Sequence, residues 1–308
     1  MTRRVLITGS SGFIGSNAVA HFRAGGDEVL GLDRQPPRPG SGSGPGPAGS
    51  PQPAFQQVDL LDAGALAAAV AAFQPTHALH LGARTDLDGS TEQDYAVNTD
   101  GTANLLAALA PTTCERVVIA SSMLVCRYGY QPRHDQDFCP TTVYGRSKQH
   151  MEELVRARPG GGPAWVLARL SSIWGPWFDQ PYRPFFQAVR QRRFVHPGFA
   201  EIDKALGFVG NTVFQLQRLL ATDRFDGQVV YLTDYQRYSI RAWADTIAAA
   251  DGAPANRRVP VPLLAAAALV GDLLKATGVM AHPPLTSFRL RNMRQPSQFD
   301  TSALEAMT

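Results

Sequence analysis

The chain has 308 residues, 44% hydrophobic and 18% charged, enough for one large domain or two small ones around a substantial core. Its 29 Lys and Arg against 26 Asp and Glu leave a formal net charge of +3, too small to argue for nucleic acid or a membrane surface as partner. Three cysteines (Cys114, Cys126 and Cys139) are an odd count without metal-type spacing; no disulfide framework and no metal centre are expected, and a reducing, cytoplasmic compartment fits.

The opening residues MTRRVLITGSSGFIG carry charge and a short apolar run. Glycines interrupt that run at once, which predicts a buried strand and turn rather than a signal peptide. Apolar runs without alternation follow at 28–33, 77–82, 116–121 and 164–170, after the first at 4–8. Helical patterns lie near 13–25, 62–73, 91–110 and 144–158. Such strands separated by helices predict an α/β fold, a doubly wound parallel sheet covered on both faces. Ligands of such sheets bind at the carboxyl ends of the strands. The segment 35–53, QPPRPGSGSGPGPAGSPQP, cannot bury apolar surface and predicts a mobile loop. After about residue 171 the pattern changes to an aromatic, basic stretch. One more strand is expected at 228–234. A helix follows over 239–252, with Ser239 as N-cap and Gly252 as stop, and an apolar helix lies near 262–277. Its core, LLAAAALVGDLL, is too short to span a membrane. The expected division is a dinucleotide-binding domain over 1–170 with 207–235, and a smaller C-terminal substrate lobe over 171–206 and 236–308.

Gly9, Gly12 and Gly15 come directly after the first strand. A tight turn, a backbone that approaches a pyrophosphate, and a helix close to the sheet each penalise a Cβ. The helix N-terminus then offers amides and a positive dipole end to phosphates. Asp33 ends the second strand, where a carboxylate can accept from the ribose hydroxyls of NAD. Arg34 follows at once and could hold the extra phosphate of NADP, so NAD is favoured and NADP stays open. Asp59 could bond the adenine amino group, or simply open a helix.

Tyr144 and Lys148 are four residues apart on a predicted helix and share one face. An ammonium there, with a cationic nicotinamide, would lower the phenol's proton affinity from its ordinary pKa of about 10. The phenolate could then take a proton from an alcohol. The chain has three lysines in all, and a compact charge suits this position better than a planar guanidinium. Ser122, at the end of the strand carrying VVIASS, could hydrogen-bond the same substrate oxygen.

These residues, with HLGA (80–83), NTDGTANLL (98–106), ASSMLV (120–125) and ARLSSIWGP (168–176), occur in an order that resembles the extended short-chain dehydrogenases/reductases of the NAD-dependent epimerase/dehydratase group. The resemblance covers nearly the whole chain. It implies a Rossmann-type domain, a substrate lobe, and usually a nucleotide-activated sugar as substrate. It also implies Ser122, Tyr144 and Lys148 as the catalytic set, and a homodimer paired through the helices near 91–110 and 144–158. Phe13, Ile14, Leu60, Leu81, Gly82 and Ala83 complete the expected cofactor contacts, and Met123 joins Ser122 at the substrate. One departure matters. Sugar 4,6-dehydratases carry an Asp-Glu pair just after the Ser/Thr, where this chain has Met123 and Leu124. Neither can do acid–base work, so epimerisation or ketone reduction is expected instead of dehydration.

Arg84 and Thr85 follow a strand end and could line the substrate pocket, or form an exposed loop pair. Asn98 could bond the cofactor or a water. Arg183, and more weakly Lys204, could grip a substrate diphosphate.

Overall fold

The apolar runs become strands, and the order in which they appear sets the layers. The computed structural model describes residues 2–41, 55–158, 160–178, 182–281 and 283–306. Most of the Gly/Pro/Ser-rich segment, from 42 onward, lies outside the described residues. In chain order the first half runs β1 (Arg4–Thr8), α1 (Phe13–Ala24), β2 (Glu28–Asp33), β3 (Phe55–Gln57), α2 (Ala63–Phe73), β4 (His77–His80), α3 (Ala96–Leu109), β5 (Arg116–Ser122), α4 (Val143–Ala157) and β6 (Ala164–Leu170). The second half runs β7 (Ser172–Trp174), α5 (Tyr182–Arg190), β8 (Val195–Pro197), β9 (Asp203–Lys204), β10 (Leu206–Phe208), α6 (Val209–Leu220), β11 (Val229–Leu232), β12 (Tyr238–Ser239), α7 (Ile240–Ala250), β13 (Arg257–Val259), α8 (Val261–Ala276), α9 (Ser287–Arg294) and α10 (Ser302–Glu305).

The chain divides into two compact units: Met1–Phe178 with Gly207–Tyr235 and Asp300–Thr308, and Asp179–Leu206 with Gln236–Phe299. The first unit is built on a seven-stranded sheet in the order β11-β6-β5-β4-β1-β2-β3. Its pairings are parallel throughout. Side chains alternate across it. Leu6, Leu30 and Leu32 face Leu66, Phe73, Leu105 and Met151 of α2, α3 and α4. Val5, Ile7 and Val118 face Val19 and Phe22 of α1 and Leu216 and Leu220 of α6. Each fully buried Leu, Val or Phe contributes about 1.5–3 kcal/mol, so both faces of this sheet are driven shut.

Several elements differ from the sequence pattern. The helix α6 has no counterpart in the sequence pattern: it opens on Phe208 without a side-chain cap, so the usual start signal is missing. β3 is a three-residue edge strand, too short for a run to show. Residues 92–95 form a 3-10 turn with a capping box between Thr91 and Asp94, and α3 begins after it.

The second unit has two small cores. Val189 of α5 packs with Ala244 and Ala248 of α7. Leu264 and Ala268 of α8 pack with Leu290 of α9 and the half-buried Val195 and Val259. Ser239 caps α7 by accepting from the Ala242 amide at 3.3 Å.

Candidate active site

From β1 the sheet steps one way to β2 and β3; from β4 it steps the other way to β5, β6 and β11. The crevice outside the carboxyl ends of β1 and β4 is the switch point where such sheets bind ligands. Gly9 occupies it with φ +67°, and a Cβ there would sit 2.6 Å from the Gly82 amide nitrogen. A Cβ on Gly15 would lie 2.0 Å from the Gly9 carbonyl oxygen. The turn therefore lies flat against the start of α1, which opens at Gly12 without a side-chain cap. Its first amides are left for an anion.

A cleft of about 790 Å³ runs from this turn. Gly9 and Gly12 line it at the turn, Asp33 and Arg34 at the end of β2. Asp59 and Leu60 line it beyond β3, and Leu81, Gly82, Ala83 and Arg84 after β4. Phe13 and Ile14 lie half-buried in the first turn of α1, with Gly15 buried behind them. The Asp33 carboxylate accepts from the Ser11 amide at 3.0 Å and the Gln35 amide at 2.9 Å, so it is held in place with lone pairs to spare. Asp59 is exposed and accepts from the Leu61 amide. A glycine cradle, an uncapped helix start and a fixed carboxylate fit a dinucleotide.

Arg38 also lines the cleft, although its place in the low-complexity segment carries no signal of this. Its guanidinium donates to the Ser11 and Trp177 carbonyls at 3.1 Å each, which ties that segment to the glycine turn. A chain of hydrogen bonds braces the β4 side. The Gly82 amide donates to Thr8 Oγ1 (3.1 Å), and Thr8 Oγ1 lies 2.7 Å from His80 Nδ1. His80 Nε2 lies 2.9 Å from Thr102 Oγ1, which donates to the Asn98 carbonyl at 2.7 Å. The Thr102 proton is committed, so the imidazole proton must sit on Nε2. Burial pushes His80 down to about 3, and the Lys148 charge adds to this, so the ring is neutral.

Tyr144 stands in the first turn of α4, whose N-cap Thr142 accepts from the Gly145 amide at 2.9 Å. Its phenol is buried, with Ser122 near enough to draw its proton affinity down. Ser122 ends β5 and accepts from the Leu124 amide at 3.1 Å, which fixes its side chain. Lys148, one turn along α4, is buried and donates to the Ala120 carbonyl at 2.8 Å. Tyr95 packs against the phenol with ring centroids 6.0 Å apart.

The electrostatics differ from the sequence expectation. Burial pushes the Tyr144 phenol up to about 12, more than Ser122 draws it down. Burial likewise pushes Lys148 down to about 8, against the pull of Glu152. Desolvation therefore dominates in the free protein, and the phenol is held protonated.

Glu152, one turn beyond Lys148, is fully buried. It accepts from Ser121 at 2.6 Å, from Arg169 Nε and Nη2 at 2.8 Å each, and from Arg156 at 3.1 Å. Arg169 also donates to the Tyr231 hydroxyl at 3.0 Å and to the Asp135 carbonyl. This network clamps β5, β6 and α4 beneath the Ser122–Tyr144–Lys148 group. The helical spacing of Lys148 and Glu152 was the available signal for it.

Other expected contacts have different partners. Asn98 is fully buried; its amide bonds the Arg84 main chain at 2.9 and 3.1 Å and Ser147 at 2.9 Å, so it holds the cleft wall rather than facing the cleft. Arg84 forms the exposed loop pair, with both guanidinium arms on Asp86 at 2.8 and 2.9 Å. Thr85 is exposed beside it, and Met123 is buried in the 3-10 turn after Ser122. In the second unit Arg183 is exposed on α5. Lys204 corrects the sequence reading. It is buried and donates to the Asn292 carbonyl at 2.6 Å and to the Gln295 carbonyl, closing the C-terminus of α9. An ammonium so committed is not a phosphate grip.

Comparison with known proteins finds relatives in sequence and in fold. A 3 beta-hydroxysteroid dehydrogenase/Delta 5-->4-isomerase of Mycobacterium tuberculosis is 31% identical over 197 residues, covering 60% of this chain and 51% of that protein. A dTDP-glucose 4,6-dehydratase of Neisseria meningitidis is 36% identical over 194 residues, covering 57% and 54%. The matches thus span about half the length of these relatives. The fold is shared with the Bordetella bronchiseptica enzyme WbmH in complex with NAD+, at TM-score 0.69 and 21% identity over 84% of this chain and 86% of that one. The model of the NAD dependent epimerase/dehydratase family, a family of NAD-dependent enzymes, matches residues 5–193. Match and site together place the chain in the NAD dependent epimerase/dehydratase family.

Proposed function

We propose that the chain is a nucleotide-sugar epimerase that works by transient oxidation of a sugar carbinol, with Tyr144 as proton acceptor and donor. The observation that carries this reading is the Tyr144 phenol, buried against Ser122 at the carboxyl edge of β5 with Lys148 one turn along the same helix. When bound, NAD supplies a hydride acceptor and a positively charged ring. Gly9, Gly12 and Gly15 leave room for its pyrophosphate, Phe13 and Ile14 bring amides to it, and Asp33 takes the ribose hydroxyls. Leu60, Leu81, Gly82 and Ala83 form the apolar wall. Ser122 holds the carbinol oxygen by a hydrogen bond. Tyr144 takes the proton from that oxygen and later returns it, and Lys148 stabilises the phenolate while it exists.

Met123 and Leu124 have no group able to move a proton on carbon, which separates this reading from the 4,6-dehydratase that the chain partly resembles. Likeness to that relative and to a UDP-glucose 4-epimerase 2 of Oryza sativa, 29% identical over 180 residues, supports a nucleotide-activated sugar. The assembly in this reading is a homodimer through α3 and α4, and the compartment the cytoplasm. A second reading, dehydrogenation of a non-sugar alcohol, is favoured by the likeness to the hydroxysteroid enzyme.

Incubation with NAD+ and a panel of nucleotide sugars, followed by proton NMR, tests these readings. Epimer formation without accumulation of NADH supports the first. NADH accumulation with an alcohol supports the second, and consumption of NAD(P)H by a keto-sugar would make the chain a 4-ketoreductase. Retention of full epimerase activity by Tyr144→Phe would refute the assignment of the proton acceptor.

A further inference from the structure

The helix α8 is apolar on both sides. One side buries Leu264, Ala268 and Gly271. The opposite side presents Leu263, Leu269, Val270 and Leu273 at 58–65% exposure, and Val279 extends the patch beyond its C-terminus at 73%. A helix without a polar face belongs buried, in a core or against lipid. Sixteen residues make α8 about 24 Å long, and among the described residues no helix is long and apolar enough to cross a membrane. A surface contact is therefore the geometry to consider.

Charge says what covers it. From Ala253 to Phe299 the chain carries six cations (Arg257, Arg258, Lys275, Arg289, Arg291 and Arg294) against one acid, Asp272. That surplus of five exceeds the +3 of the whole chain, so the remainder is net negative. All six cations are exposed, and Arg289 also donates to the Pro283 carbonyl at 2.8 Å and the Pro284 carbonyl at 3.3 Å. Arg257 and Arg258 lie on β13 just before α8, Lys275 lies in its last turn, and the other three lie on α9, which packs against it. Asp272 is half-buried and accepts from the Ser287 amide at 3.2 Å.

We propose that the outer face of α8, in a stretch of chain whose neighbouring elements β13 and α9 carry exposed cations, docks peripherally on an anionic phospholipid bilayer. Leucine and valine enter the headgroup boundary while the arginines and lysine meet lipid phosphates. A second copy of this chain is the poorer occupant, because it would bring two like surpluses of charge together. The net charge of +3 hides the surface, because opposite charges elsewhere cancel it.

The test is co-sedimentation of the full chain with vesicles of phosphatidylcholine alone or mixed with phosphatidylglycerol. The expected result is binding at least about tenfold tighter to the anionic vesicles, weakened by salt. Leu269→Glu with Leu273→Glu is expected to abolish it, and Arg291→Glu with Arg294→Glu to weaken it at least about tenfold. Melting curves show whether each variant folds; should the leucine pair not fold, the arginine pair and the salt series decide alone. Equal binding to both vesicle types, or none, overturns the proposal. So does a dimer that the leucine variant dissociates while vesicles are ignored, which would assign the face to a second copy.

Discussion

Lys148→Met is expected to stabilise the protein while removing turnover. Burial pushes this ammonium from its ordinary 10.5 down to about 8. At about 1.4 kcal/mol per unit, holding the charge in the fold costs about 3 kcal/mol at neutral pH. Methionine fills similar space but loses the 2.8 Å bond to the Ala120 carbonyl, worth about 1 kcal/mol. The net gain is about 2 kcal/mol, or about 4 °C in Tm for a protein of this size. The sign with pH is specific. The folded protein releases this proton before the unfolded chain does, so wild-type stability rises from pH 8 toward pH 10.5. The gap between variant and wild type is therefore full below pH 8 and closes as pH rises. Melts followed by circular dichroism at pH 7 and pH 10 measure it, with turnover assayed on whichever substrate the wild type accepts. A lower Tm for the variant at pH 7, or a gap that does not change with pH, would show that burial does not penalise the Lys148 charge.

Gly9→Ala forces a Cβ to 2.6 Å from the Gly82 amide in a left-handed conformation, so calorimetry should show NAD affinity falling at least about tenfold and stability by about 1–2 kcal/mol. Unchanged affinity would remove the glycine turn from the cofactor site. Glu152→Gln leaves buried Arg169 without its charge partner and is expected to cost about 3–5 kcal/mol, read from the urea midpoint; a loss under about 1 kcal/mol would show that the network is not a clamp. Asp33→Ala should shift the ratio of NAD to NADP affinity at least about tenfold toward NADP, and no shift would deny Asp33 its ribose contact.

The elements that were legible in the sequence are those whose signal is local. Gly9, Gly12 and Gly15 follow an apolar run directly, and the Tyr144–Lys148 spacing needs only a helix to bring both side chains to one face. What the sequence hid depends on distant partners. Arg38 lies in a segment whose composition suggests no structure, yet two carbonyls from elsewhere in the fold anchor it. Lys204 reads as a free cation until α9 offers its last carbonyls. The direction of the Tyr144 shift depends on burial, which spacing alone does not report. The exposed side of α8 looks like any core helix until its neighbours are known to cover one side only.

At the centre of the proposed chemistry is a phenol that the free fold keeps protonated and that an added positive charge converts to a base. A spectrophotometric titration of phenolate, taken as wild type minus Tyr144→Phe, measures this with and without NAD+. Without NAD+ no Tyr144 phenolate is expected below pH 10, because burial holds the group up at about 12. With NAD+ its midpoint is expected to fall by at least about two units, the scale of one nearby opposite charge. A midpoint that NAD+ leaves unmoved, or a phenolate already present near neutral pH in the free protein, would contradict the account.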